Sequence, residues 1–313
     1  MKVSVIIATH NPHAERMQRT LGGLSAQTLA IGDWETLLVD NASMPAIASP
    51  PPNVGPPNLR IVREPQLGLT SARRRGFREA RGEICVFADD DNVLAPDYLE
   101  QVVRLFATHS RVGALGGKSV AEFESTPPDW AVEFFPLLAL RDPGDEARFA
   151  RSVRAAGAPR NDFPFDVAPI GAGMAVRREA VQAWVDESAG SGLPDRRGAD
   201  LTSGGDNDLV FSILQHGWEV AYFPELSLAH LIPAARLAPE YLGRLNRGIQ
   251  NSWMQVLTKH DANPWPPIRP WSVTLRQLKA WFAYRAWSSP AARIRWQGAC
   301  GHFEGRRASP GAS

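Results

Sequence analysis

Cysteine is nearly absent from this sequence, with Cys85 and Cys300 the only two among 313 residues. Two cysteines cannot build a disulfide framework, and Cys85 lies within an apolar run, so a reducing compartment fits. Long apolar runs are absent as well. The run at residues 3–8 is too short for a signal peptide, and no stretch approaches the roughly 20 apolar residues of a membrane-spanning helix. We therefore expect a cytoplasmic protein.

The sequence also has little net charge, because 34 Lys and Arg against 33 Asp and Glu leave only +1. No global field attracts a polyanion to the whole molecule, and we expect no nucleic-acid partner. The charge is nevertheless uneven. Residues 264–313 contain eight basic side chains and one acidic side chain, Glu304, and carry +7.

Two common nucleotide-binding motifs are missing. No Gly-x-x-x-x-Gly-Lys occurs, and Gly171-Ala-Gly173 is followed by Val176 where the dinucleotide motif has its third glycine. A phosphate-bearing ligand would therefore need a cation and basic side chains instead of a glycine-rich loop. The three aspartates at residues 89–91 and the three arginines at residues 73–75 could supply both.

Apolar runs alternate with amphipathic segments along the chain, which favours βαβ units, an α/β fold and a mainly parallel sheet flanked by helices. Strands are expected at residues 3–8, 34–39, 59–62, 84–88, 171–176, 218–223 and 227–232. Helices are expected at about residues 15–27, 68–82, 180–186 and 206–217, with another from near Pro96. Residues 120–169 are predicted to form long loops with one helix near residues 146–155.

Polar side chains collect where the predicted strands end, and ligands of parallel sheets bind at those ends. The residues concerned are Thr9, Asn11, Asp40, Asn41, Asp89 and Asp91. Three adjacent carboxylates, Asp89 to Asp91, raise one another's pKa unless a cation offsets their charge. Mg²⁺ and Mn²⁺ favour such oxygen ligands. A polar turn that caps the next helix is the alternative.

Asp206 and Asp208 follow two glycines at the predicted start of a helix. Helix capping is one role for them, and the glycines indicate instead that a ligand or the backbone approaches closely. His230 lies in an apolar run, where a buried core histidine is more common than a metal ligand.

Five motifs occur in order: VSVIIATHN from Val3, LLVDNAS from Leu37, GLTSARRRG from Gly68, GEICVFADDD from Gly82 and GGDNDL from Gly204. Together they resemble the successive motifs of family 2 glycosyltransferases of the GT-A fold, over about residues 1–235. The resemblance implies inverting sugar transfer from a nucleotide-diphospho-sugar, usually a UDP-sugar, with Mn²⁺ or Mg²⁺ as cofactor. It further implies a glycan or lipid-linked acceptor in cell-surface glycan or glycolipid synthesis.

The resemblance also implies roles for individual residues in donor binding. Thr9, His10, Asn11 and Asp40 would hold the nucleoside, with Asp40 at the base, although His10 stands where tyrosine is commoner. Arg73 would lie near the base or the diphosphate. Arg74 replaces an asparagine, so the choice of nucleotide stays open.

The acidic motifs carry the remaining implied roles. Asp89 and Asp91 match the Asp-x-Asp pair that holds the metal–diphosphate and the donor sugar, with Asp90 beside them, and His230 matches a histidine that completes the metal site in several relatives. Asp206 matches the catalytic base. Gly205 replaces the glutamate that often precedes that base, so either Asp206 or Asp208 could serve.

Other functions need comparison with this one. A sugar nucleotidyltransferase typically has a glycine-rich basic loop after the first strand, where this sequence has Thr-His-Asn-Pro. A retaining transferase of similar fold would differ only in product stereochemistry. A non-catalytic nucleotide-sugar-binding module would need no base, yet Asp206 and Asp208 are both present.

We divide the chain into a nucleotide-sugar-binding half at residues 1–117, an acceptor-binding and catalytic half at residues 118–238, and a basic helical extension at residues 239–313. Six of the ten tryptophans lie in that extension. Trp271, Leu275, Leu278 and Phe282 would share one helical face. Such a face suits either the cytoplasmic surface of a membrane, with the protein bound peripherally, or a helical lid on the catalytic domain.

Overall fold

The computed structural model describes residues 1–49, 54–151, 163–187, 201 and 204–308. Strands and helices alternate through the first half, as the sequence predicts. The strands are β1 Val3–Thr9, β2 Trp34–Asn41, β3 Leu59–Glu64, β4 Ile84–Asp89, β5 Asn92–Leu94, β6 Val112–Phe123, β7 Arg148–Ala150, β8 Ala175–Arg177 and β9 Glu219–Ile232. The α-helices are α1 Ala14–Ser25, α2 Leu69–Glu79, α3 Tyr98–Thr108, α4 Arg178–Asp186, α5 Gly205–Gln215, α6 Pro239–Lys259, α7 Ser272–Ala283 and α8 Pro290–Gly305. Short 3₁₀ helices lie at Ile31–Asp33, Asp129–Leu138 and Ala234–Leu237.

The nine described strands form one sheet, in which eight follow the order β3-β2-β1-β4-β8-β6-β9-β5 and β7 pairs with β9. β1 pairs in parallel with β2 and β4, and β2 pairs in parallel with β3. β6 and β9 form a second parallel ladder. The short β8 is antiparallel to both β4 and β6 and joins the two parallel groups.

The sheet is covered on both faces because its central strands are apolar on both sides. Ile6 of β1 faces a core that includes α2, α4 and α5, whereas Val5 and Ile7 face a core that includes α1 and α3. This alternation of side chains along an extended strand explains why the central strands read as continuous apolar runs. The site-bearing ends of β1, β2 and β4 therefore stand on a buried and rigid support.

The two strands predicted at residues 218–223 and 227–232 are one strand, β9. Pro224 suggested a break because proline cannot donate to a ladder. The β6–β9 register instead shifts between the pairs Gly116–Tyr222 and Lys118–Ser227. Pro224 lies in this irregular stretch, where its missing N–H interrupts no regular pairing. A Cβ on Gly117 would clash with the Leu226 carbonyl, which explains the glycine opposite this irregularity.

Three other expectations for the middle of the chain need correction. The helix predicted near residues 146–155 is wrong where it is described, because Arg148–Ala150 pairs with β9, and residues 152–155 lie outside the described part. Residues 120–169 are less irregular than predicted, since β6 continues to Phe123 and Asp129–Leu138 is helical. The strand predicted at residues 171–176 is confined to Ala175–Arg177.

The C-terminal helices expected from the sequence are present. α6 and α8 pack on the Asp129–Leu138 helix in a third apolar core that includes Leu242, Leu245 and Ile294. α7 packs against α8. The extension is thus held to the rest of the protein chiefly through α6 and α8.

Two glycines in the middle of helices provide a matched test of packing against the sheet. A Cβ on Gly76 of α2 would press on the Ile6 side chain of β1, whereas a Cβ on Gly22 of α1 has nothing within contact distance. We expect Gly76→Ala to lower the free energy of unfolding by about 1–3 kcal/mol. Gly22→Ala should raise it by about 0.5–1 kcal/mol, because alanine favours the helix. Urea denaturation measures both, and equal effects of the two substitutions would contradict this packing.

Candidate functional site

The candidate site lies at the carboxyl ends of three neighbouring parallel strands. The register pairs Thr9 with Asp40 and Ala8 with Asp89, so the polar ends of β1, β2 and β4 are level with one another. The sequence alone predicted that these side chains would meet at one edge. The structure confirms that placement.

Thr9 connects the first strand to the triple aspartate. Its hydroxyl donates a hydrogen bond to Oδ2 of Asp90. Burial and the neighbouring Asp91 and Asp89 charges raise the pKa of Asp90 to about 6. Asp90 therefore points to the β1 side of the site, away from the partners that bind its two neighbours.

The turn after β1 is held by its own polar side chains. Nδ1 of His10 donates to the Asn41 carbonyl at 2.7 Å, since a carbonyl can only accept, and Nε2 then accepts from the Asn11 amide at 3.1 Å. Asn11 has a positive φ of 49°, a conformation that asparagine tolerates well. Its side-chain oxygen accepts from the Met44 N–H at 2.8 Å. His10 and Asn11 thus attach the end of β1 to the loop after β2.

Asp40 is almost completely buried beneath that loop. Its carboxylate accepts hydrogen bonds from the Ser43 and Ile47 N–H groups, both at 3.0 Å, and from the Arg63 guanidinium. Burial alone would raise the pKa of Asp40, but these donors outweigh it and hold the pKa below its usual range. The carboxylate is therefore ionised and shapes the loop at residues 43–47.

Arg73 is the residue that joins the two acidic motifs. This arginine of α2 is buried, with its guanidinium 5.3 Å from the centre of the Phe87 ring. Nη1 donates to Oδ1 of Asp206, and Nη2 lies 3.7 Å from Oδ1 of Asp89. The other Asp206 oxygen accepts from the Gly171 N–H at 2.9 Å. Asp89 and Asp206, 117 positions apart in the numbering, consequently share one cation.

A Cβ at Gly171 would meet both Arg73 and Asp206. The glycine pair at residues 171–173, which matches no dinucleotide motif, therefore has a local reason. Gly171 allows the backbone N–H to reach the Asp206 carboxylate.

Asp91 faces a different cation, Arg236, which follows β9. Nη2 of Arg236 lies 2.9 Å from Oδ2 of Asp91, and Nη1 lies 3.3 Å from Nε2 of His230. His230 Nε2 is also 3.3 Å from Oδ1 of Asp91. Pairing of Asn92 with His230 between β5 and β9 brings these groups together. Sequence reasoning predicted Asp91 and His230 as neighbours but missed Arg236, whose only signal is an arginine six residues after that histidine.

The donor atoms at Asp91 fit a divalent cation in kind, because carboxylate oxygens and an imidazole nitrogen are ligands of Mn²⁺. The buried Asp91 carboxylate already forms an ion pair with the Arg236 guanidinium. Nδ1 of His230 has no hydrogen-bond partner among the described residues. Within the same part of the chain, however, no three His, Cys, Asp or Glu side chains converge as a ready metal site. Arg236 would have to move for Asp91 and His230 to share an ion.

Asp208 has a different environment from Asp206, two residues away. The Trp184 indole donates to it at 2.9 Å, Nζ of Lys259 lies at 2.7 Å and Nε2 of His260 at 2.8 Å. Burial raises the pKa of Asp208, but the hydrogen bonds from His260, Lys259 and Trp184 outweigh it and hold the pKa below its usual range. Asp208 thus joins α4, α5 and the end of α6. These partners are distant in sequence, so the spacing of the two aspartates did not predict them.

A cavity of about 330 Å³ opens beside the start of α5. Its wall combines amide, imidazole and aromatic side chains, namely Phe165, Asn207, Ile249, Gln250, Trp253, Met254, Trp265 and His302. Asn207 lies between Asp206 and Asp208 in the chain. The cavity therefore borders the acidic helix start from the side of the C-terminal helices.

Comparison with known proteins finds a matching family model and curated relatives. A family model described as Glycosyl transferase family 2 matches residues 4–183. An uncharacterized glycosyltransferase of Nostoc sp. is 30% identical over 142 residues, which are 44% of this chain and 43% of that protein. The uncharacterized glycosyltransferase YwdF of Bacillus subtilis is 29% identical over 111 residues, 34% of this chain and 39% of that protein. The chain thus spans less than half the length of the curated relatives it matches.

Solved structures agree on the fold. S. aureus TarS 1–349 in complex with UDP-GlcNAc superimposes with a TM-score of 0.52 at 13% identity, over 97% of this chain and 90% of that one. The same fragment in complex with UDP gives 0.50 at 13% identity, over 97% and 89%. At this identity the likeness establishes architecture. It confirms the expected GT-A fold with C-terminal helices.

The contacts of Asp208 predict a stability effect that depends on pH. Asp208→Asn should lower the free energy of unfolding by about 2–4 kcal/mol at neutral pH, since Lys259 and His260 lose a buried ionised partner. An Asp with a lowered pKa stabilises fully above its unfolded pKa of about 3.9 and loses that contribution as the pH falls through the folded value. The difference in unfolding free energy between wild type and Asp208→Asn should therefore shrink below about pH 4.

The matched control is Asp186→Asn on α4. Asp186 is exposed and accepts only a Gln182 hydrogen bond among the described residues, so its loss should cost about 0.5 kcal/mol or less. Chemical denaturation at several pH values measures both variants. A loss for Asp208→Asn that is as small as the control, or constant with pH, would contradict this account.

Proposed function

The chain belongs to glycosyl transferase family 2, and from this premise we propose that it transfers a sugar from a UDP-sugar to an acceptor hydroxyl, with inversion at the anomeric carbon. The observation that carries the proposal is the Arg73 bridge between Asp89 and Asp206. It supports a single site in which the proposed donor aspartates and the proposed base lie within reach of one substrate. S. aureus TarS, which shares the fold, has been solved with UDP-GlcNAc, and this favours UDP as the nucleotide.

The nucleoside end of the donor would bind at the ends of β1 and β2. In this proposal Thr9, His10, Asn11 and Asp40 form its wall. Three donors on Asp40 keep that carboxylate ionised and oriented, and the loop at residues 43–47 that covers it would have to shift for a base N–H to reach its remaining lone pair. The sugar and diphosphate would lie towards Asp89, Asp90 and Arg73.

Asp91, Asp89 and His230 are the residues that would hold Mn²⁺ or Mg²⁺. Bound there, the ion would supply positive charge to the diphosphate leaving group. Arg73 adds a permanent cation from the chain itself, buried and held in place before the reaction. Arg236 forms an ion pair with Asp91 and would have to give way to the ion.

Asp206 is the proposed base. Its carboxylate lies at the start of α5, retains some solvent exposure and is held by Arg73 and the Gly171 N–H. As the acceptor oxygen forms its bond to the anomeric carbon, its proton passes to Asp206 and the bond to the diphosphate breaks, releasing UDP. Asp208 has three donors and almost no exposure, which favours a structural role for it.

The acceptor would enter through the cavity that Asn207, Trp253 and Trp265 help to line. Aromatic rings offer flat apolar faces to a sugar ring, and the amide and imidazole groups offer hydrogen bonds to its hydroxyls. We propose a hydroxyl of a cell-surface glycan or glycolipid as the acceptor. If the acceptor is linked to a lipid, the protein would act at the inner face of a membrane.

Replacing the proposed base should stop chemistry without stopping donor binding. We expect Asp206→Asn to slow the formation of UDP from a UDP-sugar by about 10²–10⁴-fold, because the proton of the acceptor hydroxyl then has no carboxylate to accept it. Calorimetric affinity for UDP should stay within about threefold of wild type. The control is Asp145→Asn, an exposed aspartate paired with Lys118, which should leave both quantities unchanged. Full activity of Asp206→Asn would contradict the assignment of Asp206 as the base, and Asp208 would be the next candidate.

Metal dependence is tested by thermal unfolding with UDP, GDP, dTDP or CMP, each with and without Mn²⁺. At saturating UDP and Mn²⁺ we expect the melting temperature to rise by about 5 °C. Asp91→Asn should lose the part of the shift that requires Mn²⁺, whereas Asp145→Asn should keep it. An equal UDP shift without metal in wild type would contradict the metal proposal. No shift with any nucleotide would contradict the donor proposal.

A further inference from the structure

An apolar surface lies uncovered on the C-terminal extension. Of the fourteen large hydrophobic side chains that are exposed in the described part of the chain, six fall between residues 271 and 287. Trp271, Leu275, Leu278, Phe282 and Trp287 are each more than half exposed. We name these five residues the α7 face. Such clustering differs from the scattered single exposures that are normal on a protein surface.

The α7 face points away from the rest of the protein. Trp271, Leu275, Leu278 and Phe282 fall within an arc of about 60° on an α-helix, at about 100° per residue. Val273 and Ala280, the buried residues of α7, lie on the opposite side, where the helix packs on α8. The helix therefore has one apolar side that the fold uses and a second that it leaves exposed. A lid closed on the catalytic domain would bury the second side as well.

Exposed cations border the same face. Arg276, Lys279 and Arg285 are exposed, and none has an acidic partner among the described residues. The one acidic side chain of residues 264–313, Glu304, is bound to Arg247 and Gln277. The face thus combines aromatic and aliphatic side chains with uncompensated positive charge.

We propose that the α7 face docks on an anionic lipid membrane. Tryptophan and phenylalanine with flanking cations suit the boundary between headgroups and acyl chains. A second copy of this chain is a poorer occupant, because a symmetric contact through this face would bring the cations Arg276, Lys279 and Arg285 close to the same cluster of the other copy. Charge complementarity therefore selects an anionic surface over self-association.

The contact would be peripheral. In the part of the chain that the structure describes, no helix combines the length and hydropathy needed to cross a bilayer. The surface itself follows from exposure and charge alone. Its use in presenting a lipid-linked acceptor to Asp206 rests on the proposed function.

The test is co-sedimentation of the full chain with phosphatidylcholine vesicles and with vesicles that also contain phosphatidylglycerol. Wild type should sediment with the anionic vesicles and bind the neutral ones at least about tenfold more weakly. Leu275→Ser, Leu278→Ser and Phe282→Ser together should reduce binding to the anionic vesicles by at least about tenfold. Arg276→Gln, Lys279→Gln and Arg285→Gln together should reduce it by about 100-fold, roughly fivefold per cation.

Matched controls use similar residues elsewhere. Ile31→Ser, Val120→Ser and Val132→Ser remove exposed apolar side chains, and Arg78→Gln with Arg81→Gln removes exposed cations of the catalytic domain. Both control variants should bind as wild type does. Wild type that stays in the supernatant, or α7 variants that bind like the controls, would overturn the proposal. A wild-type dimer in solution that the α7 variant converts to a monomer would also overturn it.

Donor binding separates this proposal from the proposed function. All variants should show the wild-type thermal shift with UDP and Mn²⁺, which also reports that they are folded. Vesicle binding without any nucleotide response would support the membrane proposal and contradict the transferase proposal. A nucleotide response without vesicle binding would contradict the membrane proposal and support the transferase proposal.

Discussion

The guanidinium of Arg73 lies between two carboxylates that belong to different halves of the sheet. Asp89 ends β4, in the first parallel group, and Asp206 begins α5, beyond the antiparallel β8 that joins the groups. Two partly exposed carboxylates that meet at one guanidinium would repel each other without that cation. Arg73 is itself buried against Phe87, so packing helps to set its position. The remaining features of the site are arranged around this bridge.

The other aspartates near this bridge each bind different partners, which gives them different roles. Asp90 accepts from Thr9, Asp91 faces Arg236 and His230, and Asp208 is enclosed by Trp184, Lys259 and His260. Arg73 and Arg236 thus neutralise the carboxylates of a site that we propose to receive a charged donor and a metal. The two arginines offset part of the repulsion between these acids. Asp89 and Asp206, which keep some exposure, are the carboxylates proposed to meet the donor and the acceptor hydroxyl.

Much of this architecture could be predicted from local sequence. The ends of β1, β2 and β4 meet because parallel strands align their carboxyl ends, so Thr9, Asp40 and Asp89 follow from strand patterns alone. Pro224 misled the strand prediction because a bulge can absorb a missing N–H. The partners of Asp208 come from α4 and the end of α6, and Arg236 comes from the short 3₁₀ helix after β9. Such contacts are fixed by tertiary packing, and no spacing in the sequence encodes them.

Hydrogen–deuterium exchange with UDP and Mn²⁺ tests the central claim most directly, because it locates the ligand on the chain. The account predicts slower exchange of backbone amides at residues 9–11, 43–47 and 89–92, which surround the ends of β1, β2 and β4. Amides of α7, which packs on α8 and lines no part of the site or cavity, should be unaffected. Nucleotide binding that slows exchange elsewhere and leaves those three segments unchanged would contradict the account.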